Sequence, residues 1–113
     1  MNQARIFRVV LKTPEGSRAI DCPEDEFLWN AAARCGIALP AICHQGRCLT
    51  CAARLESGEV DQSASTAYFA EDRAAGFILP CTGQPRSDIV LTTHRQWAMR
   101  RHRLALGLPA PYS

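Results

Sequence analysis

The chain has 113 residues, of which 47% are apolar and 21% charged, and this suits one small globular domain with one hydrophobic core. No run approaches the roughly 18 apolar residues of a membrane-spanning helix, and no apolar signal core follows Met1-Asn2-Gln3-Ala4-Arg5. Thirteen basic against eleven acidic side chains leave a net charge of +2, too near neutral for a nucleic-acid-binding protein.

Arg5 to Thr13 is rich in β-branched and aromatic residues and predicts a strand. Pro14-Glu15-Gly16-Ser17 is a turn signal, and Arg18 to Asp21 returns as the second strand of a hairpin. Asp25 is placed to cap a helix over residues 25–35, with Glu26 in its positive first turn. Phe27, Leu28, Ala31, Ala32 and Cys35 fall on one stripe at helical period, and Gly36 and Pro40 end the helix. Residues 38–50 have no periodicity and form a loop. Cys51 to Glu56 predicts a strand closed by Ser57-Gly58, and Thr66 to Ala75 one or two helical turns. Phe77-Ile78-Leu79 is a short apolar run and Ile89 to Thr92 a clear strand. Strands, one main helix and a long loop describe an α+β domain.

The charge is unevenly placed. Residues 1–93 hold nine Lys/Arg against eleven Asp/Glu, whereas residues 94–113 hold Arg95, Arg100, Arg101 and Arg103 and no acid. The expected division is a domain over residues 1–93 with a basic, helical C-terminal extension, 94–113, in the same domain. Trp97, Arg101, Leu104 and Leu108 share one helical side, and Gly107 and Pro109 stop the helix. Trp97 and Leu104 are expected to pack against the domain. The competing reading is a basic arm for an acidic partner or an anionic membrane surface, and the plainest is a solvated face.

Six cysteines are the anomaly of the composition. Cys43, Cys48 and Cys51 are separated by four and then two residues, and Cys81 lies far downstream. C-x4-C-x2-C with a distant fourth cysteine is a spacing that holds a 2Fe-2S cluster. Three ligands in so short a segment wrap the loop around the cluster and point backbone N–H groups at its sulfurs, with Gly46 at the tightest point. A structural zinc site is the first alternative, but such sites draw their thiolates as two short-spaced pairs. A disulfide framework needs an oxidising compartment. Unrelated buried thiols would make the spacing a coincidence. Cys22 and Cys35 lie outside the motif and read as buried small hydrophobes.

With these residues in view, the chain resembles the plant-type (cyanobacterial and chloroplast-like) 2Fe-2S ferredoxins from its first strand to about His94. The likeness rests on Leu39-Pro40 ahead of Cys43, Gly46 in the loop, Asp61-Gln62-Ser63, Ala75 to Leu79 leading into Cys81, and Thr93-His94. It implies a β-grasp fold, a mixed sheet crossed by one helix, with Cys43, Cys48, Cys51 and Cys81 as ligands of the cluster and its metal. It implies a one-electron carrier, not an enzyme, moving electrons from a reductase or photosystem-like donor to acceptor enzymes, with a couple of roughly −400 mV. A monomer in the cytoplasm, or in a chloroplast stroma, is the matching expectation. The chain departs from the family in several places. It is not strongly acidic, Ala67 stands where an aromatic precedes an acidic run, Gln96 replaces a glutamate, Ile42 a serine, and Arg47 a small residue. These departures favour a specialised partner, and a dedicated donor to a single oxygenase or reductase is the runner-up. His44, Gln45 and Arg47 lie between ligands and are expected to rim the cluster and face the redox partner. With all four cysteines present, His44 is not expected to be a Rieske-type ligand.

Overall fold

The computed structural model describes residues 5–41 and 49–110. Alternation along the first two strands sets the core. Strand β1 (Ile6–Thr13) turns Val9 and Leu11 inward, and β2 (Gly16–Pro23) adds Ile20 and Cys22. They pair antiparallel from Thr13↔Gly16 to Ile6↔Pro23, so β2 runs two residues beyond its expected end. Pro23 is tolerated there because β2 is an edge strand.

Helix α1 (Leu28–Arg34) lays Leu28, Ala31 and Ala32 on this sheet, where two alanines permit a close approach. The remaining elements are β3 (Ala53–Ser57), β4 (Val60–Asp61), α2 (Ala70–Ala74), β5 (Phe77–Ile78), β6 (Gln84–Pro85), β7 (Ile89–Thr92) and α3 (Gln96–Leu106). Five strands form one sheet in the order β2-β1-β7-β3-β5, with β7 parallel to β1 and the other pairs antiparallel. β4 and β6 make a small second sheet. This mixed sheet crossed by a helix is the β-grasp arrangement of the expected α+β class.

The start of α1 differs from expectation. The helix begins at Leu28 and has no side-chain cap. Glu26 instead pairs with Arg34 at 2.8 Å. The first free amides of the helix find tertiary partners: Leu28 donates to the Gly83 carbonyl at 2.8 Å and Trp29 to that of Pro80 at 3.0 Å. Orphan donors at a helix start need an acceptor, and a distant turn supplies it in place of Asp25. Similarly, Cys51 and Ala52 are not in β3. Ala52 donates to the Leu49 carbonyl at 3.0 Å, and its own carbonyl accepts from Arg95 at 2.9 Å.

Helix α3 forms where the tail pattern places it and ends at Gly107, whose φ of 71° only glycine adopts cheaply. Its packing face is not the expected one. Trp97 and Leu104 are each 58% exposed, while Met99 and Arg103 are fully buried. Residues 99 and 103 stand one turn apart, so they define the inner side of the helix. The guanidinium of Arg103 wins that side because α2 offers it a carboxylate. Arg103 Nη2 meets Asp72 Oδ2 at 2.7 Å and Nε meets Oδ1 at 3.2 Å. Further donors reach the carbonyls of Ala67 at 2.9 Å and Pro109 at 3.1 Å. The guanidinium carbon also lies 4.8 Å from the ring centroid of Phe69.

Cys22 is fully buried in the main core, and Cys35 packs beside that core half-buried. Burial pushes the Cys22 thiol up from 9.0 to about 12. Its folded value therefore lies above the unfolded one, so the unfolded chain releases this proton first as pH rises. Stability conferred by the neutral thiol is full below about pH 9 and is lost between about 9 and 12. Urea midpoints measured across that range are expected to fall with pH, and less steeply in Cys22→Ala; parallel slopes would remove the thiol from the account.

Candidate metal centre

A second apolar cluster, beside the main core, contains Leu49, Cys51, Ala52, Phe77, Leu79, Cys81 and Met99. Cys51 arrives from the turn before β3 and Cys81 from the turn after β5. Their Sγ atoms lie 3.1 Å apart and both residues are buried. A disulfide would bring them to about 2.05 Å, so none joins these two thiols. Two thiolates on one tetrahedral metal, at about 2.3 Å from it, stand about 3.8 Å from each other. A spread of less than an ångström therefore fits this pair to a shared metal ion.

Of the four expected ligands, the structure thus brings Cys51 and Cys81 together. Cys43 and Cys48 lie outside the described residues, as do Ile42, His44, Gln45, Gly46 and Arg47. Ala41 and Leu49, on either side of that segment, both pack on the cluster that holds Cys51 and Cys81.

The turn carrying Cys81 is held from several directions. The start of α1 grips the carbonyls of Pro80 and Gly83. Buried Gln62 takes both backbone groups of Leu79: its Oε1 accepts from the amide at 2.8 Å and its Nε2 donates to the carbonyl at 3.2 Å. Gln62 Nε2 also donates to Ser65 Oγ, which shares a hydrogen bond with Thr82 Oγ1, each at 2.8 Å. A Cβ at Gly83 would stand 2.9 Å from Val60 Cγ1 and 3.1 Å from Gln62 Oε1, so only glycine leaves this clamp undisturbed. Asp61, just before Gln62, accepts from the Ser63 amide at 2.7 Å and from Arg86 at 3.0 Å. Those hydrogen bonds, with the Ser63 contacts first, hold its carboxyl below its ordinary range.

Gln62 stands in the Asp61-Gln62-Ser63 motif with no task legible in the sequence, and no sequence signal marks Ser65, Thr82 or Gly83. A buried glutamine looks like any exposed one in a sequence. Gln62→Ala would leave the Leu79 amide and carbonyl unpaired in a buried site, at a cost of about 1–3 kcal/mol. Chemical denaturation is expected to show that loss, together with faster bleaching of the holoprotein in air. An unchanged unfolding midpoint would count against the clamp.

A mixed sheet crossed by a helix, with two buried thiols brought together, defines the class: a β-grasp protein with a thiolate metal site. Residues 12–86 match the family described as 2Fe-2S iron-sulfur cluster binding domain. The maize protein "Ferredoxin-6, chloroplastic" is 36% identical over 82% of this chain and 61% of its own length. The vegetative ferredoxin of Trichormus variabilis is 42% identical over 85% of this chain and 88% of its own. Among solved structures, the Amycolatopsis cytochrome P450 reductase GcoB superposes with a TM-score of 0.70 at 34% identity, over 78% of this chain and 26% of that one. The chain thus spans under two thirds of the maize relative and about a quarter of GcoB. It belongs to the 2Fe-2S iron–sulfur cluster binding domain family, and its cofactor is a 2Fe-2S cluster. It is a ferredoxin-type electron-transfer domain rather than an enzyme, and a structural-zinc module is not the reading its relatives favour.

Proposed function

We propose that Cys43, Cys48, Cys51 and Cys81 ligate the cluster, with Cys51 and Cys81 on one iron, and that the protein passes single electrons from a reductase to acceptor enzymes. The 3.1 Å approach of two buried thiols carries the assignment of Cys51 and Cys81. That of Cys43 and Cys48 rests on their spacing and on the anchoring of Ala41 and Leu49 beside the same thiols. A bound 2Fe-2S cluster supplies a one-electron couple, roughly −400 mV for its class.

The chain's own residues do the rest. Leu49, Phe77, Leu79 and Met99 keep water from the two described thiols. Gln62, Ser65 and the start of α1 fix the Cys81 turn, so little rearrangement is needed when the charge at the site changes. Residues 1–93 form the cluster domain and 94–113 belong to it, supported by the Arg103–Asp72 pair.

A reductase as donor is supported by the likeness to GcoB, whose description names a P450 reductase. Among the described residues no helix is long and apolar enough to cross a membrane. The chloroplastic and cyanobacterial relatives support a stromal or cytoplasmic site, and a monomeric carrier is part of the same proposal. The test is titration of the anaerobically purified protein with dithionite, followed by visible and EPR spectra. Bleaching by one electron per chain, with two irons and two sulfides, is the expected result. A colourless protein holding zinc would overturn the assignment.

A further inference from the structure

We propose that the outer face of α3, centred on Trp97 and Leu104 and flanked by Arg100 and Arg101, docks a redox protein that presents an acidic patch. The proposal rests on the electron-carrier reading and names the surface and polarity that serve it. Trp97 and Leu104 lie seven residues apart, two helical turns, so they stand on the same side of α3. Each is 58% exposed. Half-buried Arg100, whose Nη1 donates to the Ala110 carbonyl, and exposed Arg101 flank that line, and residues 94–113 contain no acid. Four of the basic side chains elsewhere face acidic ones: Arg5 with Glu24, Lys12 with Glu56, Arg34 with Glu26 and Arg86 with Asp61. Residues 1–93 hold nine basic against eleven acidic side chains and residues 94–113 four basic ones and no acid, so the excess positive charge lies on this C-terminal stretch.

The helix that carries this face packs beside the redox centre and is held rigidly. The Arg95 amide bonds the Ala52 carbonyl, one residue from Cys51, and Met99 packs in the cluster that holds Cys51 and Cys81. Arg103 and Asp72, both fully buried, pin the inner side of the helix. A surface already ordered loses little entropy on binding. An aromatic and aliphatic centre with an arginine rim is also the composition that concentrates binding energy at protein interfaces.

Charge decides among occupants. Two copies meeting symmetrically through α3 would oppose arginine to arginine. Two exposed apolar side chains on the outer face are a narrow footing for membrane insertion, and lipid gives the cluster no electron acceptor. An acidic protein surface meets both the charge and the task.

The test is stopped-flow electron transfer from the reduced full-length holoprotein to two acceptors, acidic cytochrome b5 and basic cytochrome c. Transfer to cytochrome b5 is expected to slow about tenfold between low and high salt. Arg101→Glu lowers the low-salt rate to cytochrome b5 about fivefold, leaves the high-salt rate unchanged and speeds transfer to cytochrome c. Arg101→Gln gives a smaller change in the same direction and serves if charge reversal impairs folding. Trp97→Ala slows transfer to cytochrome b5 at both salts. Rates to cytochrome b5 that ignore Arg101 and Trp97 overturn the proposal. So does a concentration-dependent dimer that both substitutions abolish, or sedimentation with phosphatidylserine vesicles that both abolish while transfer is unaltered. The visible spectrum separates the two levels of inference. A bleached wild-type protein removes the carrier reading itself, whereas a coloured protein with indifferent rates removes only the docking face.

Discussion

Replacing Cys81 with alanine is expected to abolish the visible absorbance of the purified protein, and Cys51→Ala to do the same. Each leaves its partner thiol, 3.1 Å away in the parent, without the second donor needed to hold a shared iron. Serine at either position keeps an oxygen donor and is expected to yield a weakly loaded, shifted spectrum, since thiolate is the softer and better ligand for this metal. Cys22→Ala is the matched control. Its thiol is equally buried but points to the carbonyls of Pro23 and Glu26, so cluster content should not change. Because the proposed cluster would tie Cys51 to the Cys81 turn, its loss should also lower the unfolding temperature. Full iron and sulfide content in Cys81→Ala would remove that residue from the ligand set.

The second large effect is expected at the buried ion pair. Arg103→Ala strands the Asp72 carboxylate in a fully buried site, at a cost of about 3–5 kcal/mol. For a domain of this size that corresponds to a melting temperature lower by on the order of 10–20 °C. The Phe69 amide, 3.0 Å from Asp72, and His102 Nε2, 3.5 Å away, remain beside the carboxylate but do not replace the two-pronged guanidinium contact. Arg103→Met with Asp72→Leu removes both charges and should recover most of the loss, because replacing a buried pair by apolar groups is often near neutral. Differential scanning calorimetry of the two variants checks this. Equal losses in both would assign the effect to packing against Phe69 instead of charge. Truncation after His94 should destabilise at least as much, since it removes Met99 as well.

The sequence made local features legible. Alternation in β1, the turn at Pro14-Glu15 and the β-branched run of β7 each depend on neighbouring residues, and the structure places strands and turn there. The stops at Gly36 and Gly107 were legible because both require a left-handed backbone. The cysteine spacing is a one-dimensional signature, which is why it named the cofactor class.

What depended on distant partners was not legible. α1 starts three residues late because its first amides bond the Pro80 and Gly83 carbonyls, more than fifty residues away. The periodicity of α3 showed an apolar side at Trp97 and Leu104, yet the opposite side is buried. An arginine outcompeted a tryptophan for the interior because Asp72, on another helix, neutralises it and Phe69 stacks on it. Gln62 became part of the cluster site only through the backbone of Leu79. The chain alone therefore determined its elements and its chemistry, since both are written in short-range spacing. Which side of a helix is inside, and which polar groups hold the site, was decided by charge and hydrogen-bond partners that only folding brings within reach.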